Sequence, residues 1–200
     1  MNGGMDPLAD LPSADLFEAL LTREELRRAR TDETLVVAVL DLDGLRAANS
    51  RHGAAAGTEM LRQCADALVR SLRALDDLAR TGPDEFSVLL HATDARNATE
   101  WARRFEHALE SSTTLHPAAP LTCAIGIADT TETPTLVETA ARARKRMEVV
   151  QALRRPRRGR ETGAYPTVRA LRGDPAYRQT FRAGLCGPCG AIPCPNSRMP

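Results

Sequence analysis

An α/β sandwich, with helices packed on a central mixed sheet, is the fold class that this 200-residue sequence predicts. Three observations carry the prediction. Near-continuous apolar, partly β-branched runs alternate with segments whose apolar residues recur at helical spacing. A Gly-Pro-Asp turn joins two of the runs into a hairpin. The alternation fills residues 5–155 and then stops, so 5–155 reads as one domain and 156–200 as a basic, Gly/Pro/Cys-containing tail without a core of its own.

The elements follow in order. From Ser13 to Arg30, Leu16, Phe17, Leu20, Leu21 and Leu26 make an amphipathic stripe after a Ser/Asp start. Leu35 to Leu42 is apolar at nearly every position, which suits a strand covered on both faces. A second helix is expected from about Gly57 to Ala74, with Met60, Leu61, Cys64, Leu68 and Leu72 inward. A short strand around Leu78–Arg80, the turn Thr81-Gly82-Pro83-Asp84 and a strand from Glu85 to Leu90 form the hairpin. A helix from Ala95 to Glu110, a strand from Leu121 to Ala128 and a helix from about Thr135 to Leu153 complete the pattern. This order places helices on one or both faces of the sheet.

Charge and composition exclude several classes. The net charge is +1, from 27 basic and 26 acidic side chains, which does not suit a globally basic nucleic-acid binder. One Trp, two Tyr and four Phe are too few for a base-stacking platform. No apolar run approaches the roughly 20 residues of a membrane helix, and the first residues do not open a signal peptide, so a cytoplasmic chain off the membrane is expected. All but one of the basic residues are Arg, Lys145 being the exception, a bias that fits a GC-rich genome. Cys64 and Cys123 lie in apolar segments and read as small core residues.

Acidic residues carry the chemistry. Asp41 and Asp43 close the first buried strand, and Asp84 and Glu85 sit in the hairpin turn. If strand and hairpin are neighbours, these carboxylates converge, and converging carboxylates suit Mg²⁺ with nucleotide phosphates completing its octahedron.

The residues around them resemble a known family. Asp41-Leu42-Asp43-Gly44-Leu45-Arg46-Ala47-Ala48-Asn49, then Gly53, is similar to the D-x-D-x-F-K-x-x-N-D-x-x-G stretch of the GGDEF family, the diguanylate cyclases. Thr81-Gly82-Pro83-Asp84-Glu85-Phe86 resembles its namesake hairpin. Asp6 to Pro12 resembles its D-x-L-T-G-L-x-N start, and Leu121 to Ala128 its T-x-S-I-G strand. The resemblance implies a palm-like, nucleotide-cyclase-like sandwich and the joining of two GTP into cyclic di-GMP across a homodimer. It implies Mg²⁺ on Asp41, Asp84 and the Leu42 carbonyl, and catalytic roles for Asp84 and Glu85. Asn49 and Gly82 would bind substrate. Arg73-Ala74-Leu75-Asp76 falls at the family's R-x-x-D inhibitory site, so Arg73 and Asp76 would hold cyclic di-GMP, Arg by a bidentate grip on phosphate and Asp on the base edge.

The pattern also departs from the family. Pro83 removes an N–H from the phosphate turn. Thr58 replaces a guanine-binding Asp after Gly57, and Ala54 the usual His. Against A-D-x-A-L-Y-x-A-K-x-x-G-R, the phosphate-binding Lys falls on Glu148 and the Arg on Ala152, with Arg144 or Arg146 as substitutes after a register shift. A degenerate cyclase that binds cyclic di-GMP is therefore expected. An active, weak cyclase and a protein-interaction module with vestigial nucleotide sites and a partner of unknown identity are the alternatives. In the tail, Cys186, Cys189 and Cys194 read as unliganded thiols, with Zn²⁺ or iron–sulfur binding and a redox pair as alternatives; no His lies near them to complete a zinc site.

Overall fold

The computed structural model describes residues 5–6, 10–31, 33–111 and 121–154. The tail, with Cys186, Cys189 and Cys194, lies outside the described residues. Two short strands, β1 (Met5–Asp6) and β2 (Leu11–Pro12), pair antiparallel ahead of the first helix, α1 (Ala14–Thr31). Then come β3 (Val36–Leu42), α2 (Leu45–His52), α3 (Ala54–Ser71), β4 (Asp77–Arg80), β5 (Glu85–Leu90), α4 (Ala95–Ser111), β6 (Cys123–Asp129) and α5 (Leu136–Arg154).

The main sheet has the order β4-β5-β3-β6, and every described pairing in it is antiparallel. This corrects the expected mixed sheet. β5 and β6 both run opposite to β3, so the crossover through α4 joins two strands of like direction, but β3 lies between them and they never pair. The result is a split βαβ arrangement, which element order alone does not distinguish from adjacent parallel strands.

Burial of β3 on both faces explains its apolar run, which only Asp41 interrupts. Val36, Ala38, Leu40 and Leu42 enter one core with residues of α3 and α4, while Val37 and Val39 enter a second with residues of α1 and α5. Helices therefore cover both faces of the sheet. The central position of β3 leaves its acid-bearing end flanked by a strand on each side. Register sets Asp41 opposite Glu85 on β5 and opposite Ala124 on β6.

The second helix is shifted from the expected span. α3 starts at Ala54 and ends at Ser71, where Leu72 turns extended with φ −95° and ψ 156°. Arg73 and Asp76 consequently lie in the loop to β4 rather than at a helix end. The separate α2 has only Leu45 buried, so it lacks the apolar stripe that would announce it.

Candidate functional site

The hairpin and the end of β3 form one unit. Leu42 N–H donates to the Asp84 carbonyl at 2.8 Å, and the N–H groups of Thr81 and Gly82 both donate to the Glu85 carbonyl, at 3.0 and 3.2 Å. Proline at position 83 is accommodated because its own carbonyl, not an N–H, is used: Arg80 donates to it at 2.6 Å. The same guanidinium grips both Asp6 oxygens at 2.9 Å, tying β1 to the turn.

Of the four expected acids, Asp84, Asp43 and Glu85 all act on Asp41, and Asp43 is in addition hydrogen-bonded to Thr122 and Arg154. Burial, and then the charge of Asp84, push the Asp41 carboxyl up to about 6. Gln151 Nε2 donates to Asp41 Oδ1 at 2.7 Å and offsets part of that shift. Burial would also raise Glu85, but hydrogen bonds from Arg144 and Thr81 outweigh it and hold the carboxyl below the usual carboxylate range. Arg144 spans both Glu85 oxygens, Nε to Oε2 at 3.1 Å and a terminal nitrogen to Oε1 at 2.6 Å, while Thr81 Oγ1 donates to Oε1 at 2.6 Å.

Asp43 is also held in a buried network. Thr122 donates to its Oδ2 at 2.9 Å, and Arg154 to the same oxygen at 3.2 Å. Arg154 is 4% exposed and also reaches the Cys123 carbonyl and Glu106. The second proposed substitute cation, Arg146, is buried against Glu132 and the Ile127 carbonyl, away from the acids. Two positions separate it from Arg144, which on a helix means opposite faces. Arg144 alone of that pair faces the site.

What aims α5 at the acids is Gly126. A Cβ there would lie 2.0 Å from the Ala143 carbonyl and 2.3 Å from Met147 N, so the helix backbone rests directly on β6. Arg144, Glu148 and Gln151, spaced four and three apart, then fall along one face of α5. At the far side of the site, a Cβ on Gly57 would strike the Asn49 carboxamide, 2.0 Å from Oδ1, so Asn49 lies on the bare backbone of α3 beside Thr58.

Arg73 and Asp76 occupy a second, separate loop. The Arg73 N–H donates to Asp76 Oδ2 at 2.8 Å, and the His91 N–H donates to Oδ1 at 3.2 Å. The carboxylate is thus fixed from both sides, while the Arg73 residue is exposed. The ring of His91 bonds Asp77 through Nε2 at 3.0 Å and Arg27 of α1 through Nδ1 at 3.0 Å, which braces the loop against the helix layer.

Residues 4–157 match the family model described as diguanylate cyclase, GGDEF domain. The chain belongs to the GGDEF family. Among curated relatives, diguanylate cyclase DgcP of Pseudomonas aeruginosa is 36% identical over 124 residues, covering 61% of this chain and 18% of DgcP. The match therefore spans about a fifth of that cyclase's length. Among solved structures, the isolated GGDEF domain of TpbB (YfiN) from P. aeruginosa superposes with a TM-score of 0.66 at 29% identity, covering 72% of this chain and 87% of that one. The GGDEF domain of DgcB from Caulobacter crescentus, solved in complex with cyclic di-GMP, shares the fold with a TM-score of 0.70 at 19% identity, covering 76% and 92%.

In GGDEF terms, Asp41 and Asp84 are the acids that suit Mg²⁺ in kind, since Mg²⁺ takes one or two carboxylates and leaves its other positions to phosphate and water. They do not suit it in state. Gln151 holds Asp41, Arg144 holds Glu85, and among the described residues no group of three or more His, Cys, Asp or Glu could hold a metal ion. Gln151 and His91 were not legible as functional residues. Gln151 is distant in sequence from Asp41, and the backbone donor of His91 carries no side-chain signature. The one available signal was Gln151 standing where the quoted GGDEF pattern has Gly.

Proposed function

We propose that this GGDEF domain works in cyclic di-GMP signalling as a binder of cyclic di-GMP at Arg73 and Asp76, with a degenerate cyclase site. The observation that carries the reading is the prepared loop: Asp76 is held by two N–H groups beside an exposed Arg73. Each carboxylate oxygen has a second lone pair for the guanine edge, and the guanidinium supplies a planar fork for phosphate. The complex of the DgcB GGDEF domain with cyclic di-GMP supports the ligand class. Loss of cyclase chemistry is supported by Pro83 in the turn, Thr58 beside Asn49, Glu148 in place of a phosphate-binding Lys, and the engaged state of Glu85.

A second reading, an active diguanylate cyclase, is favoured by one observation: register brings Asp41 opposite Glu85 and next to Asp84. It requires Mg²⁺ on Asp41, Asp84 and the Leu42 carbonyl, with Asn49 and Gly82 on GTP. Calorimetry separates the readings. Cyclic di-GMP is expected to bind the wild-type chain, and Arg73→Ala to weaken binding by about 10- to 100-fold through loss of a charge-assisted bidentate contact. Binding that survives Arg73→Ala removes the site assignment. Cyclic di-GMP formed from GTP, and abolished by Asp84→Ala, replaces the receptor reading with the cyclase. Absence of binding to either nucleotide leaves a protein-interaction module.

A further inference from the structure

Two side chains of α5 end on the acid site, and both depart from the GGDEF pattern at their positions. Counted from the Lys that falls on Glu148, that pattern has Leu at 144 and Gly at 151, where this chain has Arg and Gln. Arg144 takes both oxygens of Glu85 and Gln151 takes one oxygen of Asp41. We propose that Arg144 and Gln151 are the chain's own substitute for the divalent cation, satisfying Glu85 and Asp41 in its place and keeping Mg²⁺ and a magnesium-bound nucleoside triphosphate off the acid site.

The contacts are firmer than an ordinary surface pair. Arg144 is 44% exposed, and an exposed ion pair by itself contributes little. Its partner, however, is only 16% exposed and is fixed a second time by Thr81, so the bidentate geometry is prepared on the carboxylate side. Nor does the helix have room to retreat, because Gly126 seats α5 on β6 by backbone contact. A cation entering this site must displace a guanidinium that already neutralises Glu85 and a carboxamide that already solvates Asp41. Glu148, one turn along the same face, then presents a negative charge where a triphosphate needs a positive one.

The proposal rests on Asp41, Asp84 and Glu85 being the family's acid site, and it is independent of cyclic di-GMP binding at Arg73. The test uses the full chain, with Arg144→Leu and Gln151→Ala combined; alanine rather than glycine keeps the helix propensity of α5. MgCl₂ with the α,β-methylene analogue of GTP is titrated calorimetrically into wild type and double variant, and cyclic di-GMP is titrated in parallel. The double variant is expected to bind the magnesium analogue at least about tenfold more tightly. Its melting temperature should rise with MgCl₂, while that of the wild type is the same in MgCl₂ and in EDTA. Equal binding by the two proteins overturns the proposal. So does a wild-type melting temperature that rises with MgCl₂, a readout that stands even if the double variant does not fold. Loss of cyclic di-GMP binding by the wild type would defeat the receptor reading and leave this one untouched.

Discussion

Asp41 is held in a place that disfavours its own charge. Burial, then Asp84, move its carboxyl from 3.8 to about 6. Because the folded-state value is raised, the folded chain keeps a proton between about pH 4 and 6 that the unfolded chain has released, so this group lowers stability as pH rises through that window. The cost above pH 6 is about 2 kcal/mol once solvent screening of a half-buried group is allowed for. Asp41→Asn keeps an oxygen for Gln151 and removes the charge. In EDTA it should raise the unfolding free energy by about 1–2 kcal/mol at neutral pH, and the gain should vanish below about pH 4. Urea titrations at the two pH values check this, and a gain independent of pH would rule out the charge as its cause. Sequence placed Asp41 among the acids correctly, but its neighbour Gln151 comes from the far end of the domain, a relation that no local spacing encodes.

Helix α5 shows how an element converts composition into position. Its charged residues are mixed along the sequence, yet folding sorts them: Arg146 and Arg154 go into buried networks with Glu132, Asp43 and Glu106, and Arg144 goes to the acid site. Two positions along a helix decide the face, so a register shift of two residues would bring Arg146 to the position from which Arg144 reaches Glu85. Gly126→Ala should destabilise the chain by about 3 kcal/mol or more, since the new Cβ meets α5 backbone that has no rotamer to change. A denaturant midpoint near wild type would mean that α5 can lift from β6. The amphipathic helices were legible because their stripes are. α2 was not, because a helix with a single buried residue leaves no stripe; the expected end of α3 at Ala74 included Arg73, whereas the helix stops at Ser71 and Leu72 turns extended.

For the molecule as a whole, alternating apolar runs and stripes announced a sheet between helix layers, and strand direction stayed hidden because it depends on β3 entering between β5 and β6. Ligand binding at Arg73 and Asp76 should be felt by the whole fold through mass action. Cyclic di-GMP at about 100 times its dissociation constant is expected to add about 2.7 kcal/mol to the unfolding free energy, read as a rise in melting temperature that Arg73→Ala cuts to about half or less. A rise of equal size in that variant would place the ligand elsewhere.

The intercalated position of β3 has a consequence in time. Both of its partners lie far downstream, β5 beyond the α2–α3 pair and β6 beyond α4, so its two ladders close long loops and give the chain a high contact order. During synthesis β3 is made before either partner exists, and its apolar face waits for them. Asp41 meets Glu85 as the hairpin arrives, but Gln151 and Arg144 emerge last. The acid end of the sheet is therefore the final part to be neutralised, and a chain interrupted before α5 would carry three crowded carboxylates with neither Arg144 nor Gln151 to offset them.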